Sequence, residues 1–485
     1  MNSRKLLIAS FLTIMVAGVG TAVRGGLLLE WGNAFGFTQT DLGKITGGGF
    51  TGFGMVILLA SLFLDKVGYK PFLLLAGVLH VGSVVLTTAA TVAFSASVDT
   101  DPEAAKNAAY FCLFWGIFMF AVANGICEAV INPLIATLYS KEKTHYLNIL
   151  HAGWPAGLIT GAIMGLFLIG NIRWEIVLAL YLIPTVIYLF MIAKEPFPKS
   201  EAAAAGVSFV DMLKEFAAPM LLFLLVLHAC IGYVELGTDS WIVNIMDNAL
   251  GGKGLFILLY TSTLMFVLRF FAGPIVHRIN PLGLLFVSAI LAAIGLYSLG
   301  SFSTLMAIMI AATIYGTGKT FFWPTMLGVV SERFPRGGAL TLGAIGAAGM
   351  LSAGLLGGPG IGYTQDRFAS ENLQASSPEV FQEYVAEGTN SFLFFSPVEG
   401  LDGSKTGPVL GKASDPSATL TEEEQMVKDA SFHGGQMALK ATAALPASLA
   451  IGFLLLIIYF RMQGGYKPIE LSSSEEAQPP AMEEY

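Results

Sequence analysis

A chain of 485 residues, 54% hydrophobic and only 12% charged, with a mean hydropathy of +0.69, is not a soluble globule. Its net charge of −8 is local: residues 363–432 hold 12 acidic side chains against 4 basic ones (Arg367, Lys405, Lys412, Lys428), and the rest is balanced. That pattern excludes a basic nucleic-acid binder, and no nucleic acid is expected as a partner. Cys112, Cys127 and Cys230 all fall in apolar runs, so no disulfide framework is implied. No Walker-type loop, nucleophile–base pair or metal-ligand spacing occurs, which argues against an ATPase, an enzyme, a cofactor or a metal site.

Apolar runs of the length needed to cross a bilayer predict twelve membrane helices. The first six lie at about 6–30, 42–64, 71–95, 108–139, 148–170 and 174–193, and the second six at about 217–245, 254–276, 281–302, 304–330, 338–362 and 437–460. The N-terminus begins like a signal peptide, but its apolar run continues to about Leu29 without an obvious cleavage site, so it reads as a retained span. Fourteen basic residues fall in one set of flanks and loops. Opposite them stand only Lys44, Lys106, Arg173 and Lys253, which puts both termini in the cytoplasm.

The expected organisation is a six-helix half over 1–193, a cytoplasmic linker over 194–216, and a second half over 217–460. An external loop at 363–432 interrupts that half, and a disordered tail follows at 461–485. The loop's Gly, Pro, Ser and acidic content predicts loose order with one short helix near 378–387.

Span 4 carries the most informative stretch, GICEAVINP, Gly125–Pro133, which sets Glu128 inside an apolar helix. An ionisable group there is costly, and usually lines a pathway or pairs with another charge. The stretch has an echo 191 residues later, GTGKTFFWP, superposing Glu128 on Lys319, Asn132 on Trp323 and Pro133 on Pro324. Two charged, proline-broken helices at corresponding places in two halves point to a transporter with a midplane site. Glu128 reads as a proton-carrying carboxylate or as the partner of Arg24 or Lys319. Lys319 reads as an ion-pair member or as a contact for an anionic ligand.

Trp323 offers a flat face suited to a sugar ring, or packs at the Pro324 kink. On span 7, His228, Glu235 and Asp239 are spaced by 7 and 11 residues and so share one face, as a water-filled cavity or a solvated gate would require. Gly157, Gly161 and Gly165, and again Gly354, Gly358 and Gly362, predict close helix seams.

SLFLDKVGYKP, Ser61–Pro71, resembles the signature loop between spans 2 and 3 of the major facilitator superfamily, with Asp65, Lys66, Gly68 and Lys70 at its key positions. RFFAGPIVHRINP, beginning at Arg269, resembles a degenerate second copy. The resemblance implies an all-α membrane protein of two pseudo-symmetric six-helix halves, with these residues acting as a conformational latch. GICEAVINP followed by LNILHAGWPAG, Leu147–Gly157, further resembles the fucose–galactose–glucose proton symporter branch. By that likeness Glu128 couples protons, while Asn132, His151 and Trp154 contact sugar.

One departure stands out: Arg24 occupies the place in span 1 where the fucose proteins carry an acid. It is expected either to neutralise Glu128 or to bind an anionic group on the substrate. The reading is a monomeric secondary transporter in a bacterial inner membrane, importing a sugar or polyol with a proton. Alternatives are a sugar-acid transporter, motivated by Arg24 and Lys319, and a non-transporting sensor, motivated by the acidic loop and tail.

Overall fold

The computed structural model describes residues 1–37, 42, 44–46, 49–250, 254–415 and 417–471. Lys253 and the tail residues 472–485 lie outside these residues. Among the described residues, eleven helical runs are long and apolar enough to cross a membrane, and the shorter helix Gly254–Arg269 completes twelve. Helix Ala272–Leu299 is kinked where Asn280 adopts φ 56° ahead of Pro281; the part before the kink finishes span 8 and the part after it is span 9. Side chains such as Val92, Phe167, Phe190, Met306 and Ile451 are largely exposed on the outside of the bundle, as a lipid-facing belt requires.

Several spans are not simple α-helices, and four of them shape the centre of the bundle. Span 5 breaks between Lys143–His151 and Gly153–Leu168, and span 10 between Leu305–Lys319 and Phe322–Arg333. Spans 7 and 11 contain π-helical segments, Tyr233–Gly237 and Ala353–Gly357, which pack on one another. Span 4, by contrast, runs unbroken over Pro102–Leu138 with Pro133 inside it, so the expected symmetry of broken helices holds only for span 10.

The halves meet where span 2 packs on span 11 and span 5 packs on spans 8 and 10. Within the first half the glycine seam is real: a Cβ on Gly157 would lie 2.3 Å from the Met15 carbonyl oxygen and 2.8 Å from Gly18 Cα. Spans 1 and 5 therefore touch backbone to backbone.

At the face where span 1 begins and span 12 ends, termed the terminal face, the halves are bonded directly. Asn148 Nδ2 donates to Thr325 Oγ1 (3.2 Å), Lys143 Nζ to the Ser331 carbonyl (3.2 Å), and Thr144 Oγ1 to Glu332 Oε1 (2.6 Å). The linker is wedged into the same seam. Ser200 donates to Asp65 (2.7 Å) and Glu201 pairs with Lys143 (2.5 Å), while Ala202 and Met212 pack on Leu340.

The C-terminal segment closes the joint from below. Gly464 and Gly465 (φ 87° and 102°) take a conformation that side chains disfavour, and so turn the chain back after span 12. Tyr466 then donates to Glu332 Oε2 (2.7 Å), and the Ile469 N–H donates to the Glu332 carbonyl (2.8 Å). Burial and the adjacent Glu332 carboxylate hold the Tyr466 phenol well above the usual tyrosine range, so it stays a donor.

On the opposite face, spans 11 and 12 run past the bundle as Gly358–Ser376 and Glu422–Thr442 and pack on each other. Between them lie Pro378–Tyr384 and Gly403–Ala413 around a small core of Leu373, Val380, Phe381, Val409, Val427 and Ala430. This is a folded cap, not the loose loop its composition predicts. The reason is helical spacing of its few apolar residues, together with the capping box Thr421–Glu424 that starts the returning helix.

Candidate functional site

A central cavity lies between the halves. Its polar lining comes from Thr13 on span 1, Asn124 and Glu128 on span 4, His151 on span 5, Glu235 on span 7 and Arg269 on span 8, and its aromatic lining includes Trp154 and Trp323. Thr13 and Ala17 share one face of span 1, and Asn124 and Glu128, four residues apart, share one face of span 4.

Glu128 is buried. Its Oε1 accepts from Asn132 Nδ2 (3.1 Å) and Trp323 Nε1 (3.3 Å), and His151 Nε2 stands 3.6 Å away. His151 Nε2 also contacts Asn132 Oδ1 at 2.9 Å. Among the described residues no lysine or arginine forms an ion pair with Glu128. Trp323 joins the halves here: its indole N–H reaches Glu128 while its ring lies 4.5 Å from that of His228. His228 sits one layer behind, with neither ring nitrogen hydrogen-bonded among the described residues.

The second half holds its charges in pairs. Arg269 Nη2 donates to Glu235 Oε1 (3.1 Å), both groups being buried. Lys319 Nζ bonds Asp239, and lies 5.2 Å from the Tyr315 ring centroid. Glu235 occupies the π-helical segment of span 7, an irregularity that commonly marks functional positions.

Six of the sequence-derived candidates are therefore brought together: Glu128, Asn132, His151, Trp154, Glu235 and Trp323. Asp239 and Lys319 are bonded to each other and do not line the cavity. Neither Lys319 nor Arg24 neutralises Glu128. Arg24 is enclosed in the first half, donating to the Gly20 carbonyl (3.1 Å) and Ser83 Oγ (2.9 Å), with its guanidinium 3.9 Å from the Phe120 ring centroid and 4.9 Å from that of Tyr181.

Arg269 is a correction. The loop resemblance places it in a latch at the terminal face, whereas the structure places it in the cavity wall, at the last residue before span 8 breaks. The other latch residues do lie at the terminal face. Asp65 accepts from Ser200, Gly68 (φ 85°) makes the turn, Lys66 lies in the last turn of the span-2 helix, and Lys70 Nζ donates to the Ala193 carbonyl (2.6 Å). Asn124 and Thr13 were missed. Asn124 was accessible to sequence reasoning, because it sits one helical turn from Glu128.

The sequence profile of the Major Facilitator Superfamily matches residues 7–358. Among solved structures, the chain is similar to the Escherichia coli fucose:proton symporter (16% identity, 93% of this chain and 98% of that one, TM-score 0.61). It is similar to a proton:xylose symporter bound to 6-bromo-6-deoxy-D-glucose (14%, 97% and 98%, TM-score 0.67). It is also similar to the human organic anion transporter MFSD10 (12%, 93% and 100%, TM-score 0.61). No curated protein sequence matches the chain.

Proposed function

The chain belongs to the Major Facilitator Superfamily, and from that premise we propose that it imports a neutral sugar or related polyol together with a proton carried by Glu128. Alternating access would rock the two halves about the central cavity. The observation that carries the proposal is the bonding of Glu128. It lines the cavity, and neutral donors hold one of its oxygens. Protonating it breaks no ion pair, so the site can load and unload without stranding a buried cation.

Three aromatic side chains, Phe53, Trp154 and Trp323, and a few convergent polar groups in an otherwise apolar cavity suit a ligand of hydroxyls and C–H surfaces. The anionic alternative draws less support. Lys319 is committed to Asp239, Arg24 lies outside the lining, and Arg269 is committed to three acceptors. Likeness of fold does not separate the two readings, because it extends to sugar:proton symporters and to an organic anion transporter alike.

Within this reading the terminal face is cytoplasmic, as the bias of basic residues implies. Asp65, Lys66, Gly68 and Lys70, with the wedged linker, act as its latch. The protein works as a monomer in a bacterial inner membrane.

In proteoliposomes, Glu128→Gln is expected to retain counterflow exchange and to lose accumulation driven by a pH gradient. Accumulation at the wild-type level would overturn the proton role. A competition panel of neutral sugars against uronates tests the substrate class, and exclusive uronate binding would overturn the neutral reading.

A further inference from the structure

A proline has no N–H to give the carbonyl four residues before it. Pro155 therefore frees the carbonyl of His151 in span 5, and Pro324 frees that of Thr320 in span 10. Each freed carbonyl lies at the break in its helix. His151 and Thr320 are both buried, where a carbonyl without a donor is costly. One side chain supplies both donors: Arg269 Nη1 donates to the His151 carbonyl (2.5 Å) and Arg269 Nε to the Thr320 carbonyl (2.9 Å), while Nη2 holds Glu235.

We propose that Arg269 is a positioning residue that staples two proline-broken helices from opposite halves, and that its bond to His151 must be given up whenever either face opens. Of its three bonds, those to Thr320 and Glu235 stay within the second half, and only the bond to His151 crosses between halves. Arg269 thus travels with the second half. Once the halves part, the His151 carbonyl becomes an acceptor for water or for a ligand hydroxyl. A planar fork with donors in fixed directions serves three acceptors at once, and the point charge of a lysine does not reproduce it. The inference rests on the rocking of halves proposed above, but on neither the substrate nor the proton.

The test is a mutant cycle that uses no substrate. Arg269→Lys keeps the charge beside Glu235, while Pro155→Ala with Pro324→Ala returns an intrahelical N–H to each freed carbonyl. In detergent, Arg269→Lys is expected to lower Tm by several degrees in the wild-type background, and by less than half as much in the background lacking both prolines. Equal losses in the two backgrounds would overturn the staple.

The second readout is distance between spin labels on exposed positions, at Lys141→Cys with Arg336→Cys for the terminal face and Asp99→Cys with Ser301→Cys for the other. Arg269→Lys is expected to raise the open fraction at one face about tenfold. Removing the prolines leaves that fraction raised, because the bond between halves is still missing. Unchanged distances, or closure recovered along with Tm, would overturn the role between halves.

Discussion

The two halves of the molecule solve the problem of buried charge differently. The second half carries Glu235 and Asp239 and supplies each with its own cation, Arg269 and Lys319. The first half carries Glu128 and supplies an amide, with a histidine nearby, while the second half reaches across with an indole N–H. Removing one member of a buried ion pair strands the partner's charge in the protein interior. A carboxylate held by neutral donors has no partner charge to strand. The halves thus bond their acids differently, with cation partners in one and neutral donors around Glu128 in the other, and on the proposed function it is the latter that carries the proton.

That contrast can be broken by four substitutions. The largest effects belong to the paired side: Lys319→Met leaves the partly buried Asp239 without its cation, and Glu235→Gln leaves the buried Arg269 without its counter-charge, each expected to cost about 3–5 kcal/mol in thermal or denaturant unfolding. Adding Asp239→Leu to Lys319→Met should recover most of that loss. Glu128→Gln is expected to change stability by under about 1.5 kcal/mol, since amide and indole donors still find an oxygen, while abolishing pH-driven accumulation. A cost of Glu128→Gln as large as that of Glu235→Gln would erase the distinction between the halves.

Glu332 is an intermediate case, a buried carboxylate held by hydroxyls from span 5 and from the C-terminal segment. Tyr466→Phe is expected to weaken closure of the terminal face by about 1.5 kcal/mol, read as a rise in the open fraction between labels on Lys141→Cys and Arg336→Cys. The smallest effect is that of Trp323→Phe. It removes one long bond to Glu128 and is expected to cost about 1 kcal/mol or less, with the apparent pH dependence of uptake displaced but not lost.

Much of this architecture is legible in the chain because lipid enforces it: a helix that crosses a bilayer must be long and apolar, and twelve such runs are visible. Glu128, Asn132 and His151 are also legible, as polar residues in spans where polarity is expensive. The pairing of Lys319 is not. The repeat aligns it with Glu128, but alignment under pseudo-symmetry places two residues in opposite halves, not in contact, and Lys319 finds Asp239 in its own half.

Arg269 was misplaced because a sequence motif marks a loop by its neighbours, while the side chain's depth depends on where the helix breaks. The signal lay in Pro155 and Pro324, each of which advertises a carbonyl in need of a donor. The cap was misread from bulk composition, although Thr421 and Glu424 stand at the spacing of a helix start.

The turn at Gly464–Gly465 bears on how the protein can be handled. A reporter or affinity tag joined after Ile469 keeps Tyr466 and the backbone contacts to Glu332, and so reads out the protein with its terminal face bolted. The same tag joined after Gln463, only six residues earlier, removes the bolt along with the turn that aims it. Two fusions indistinguishable in size and expression would then report different resting balances between the open faces, and the junction alone would be the cause.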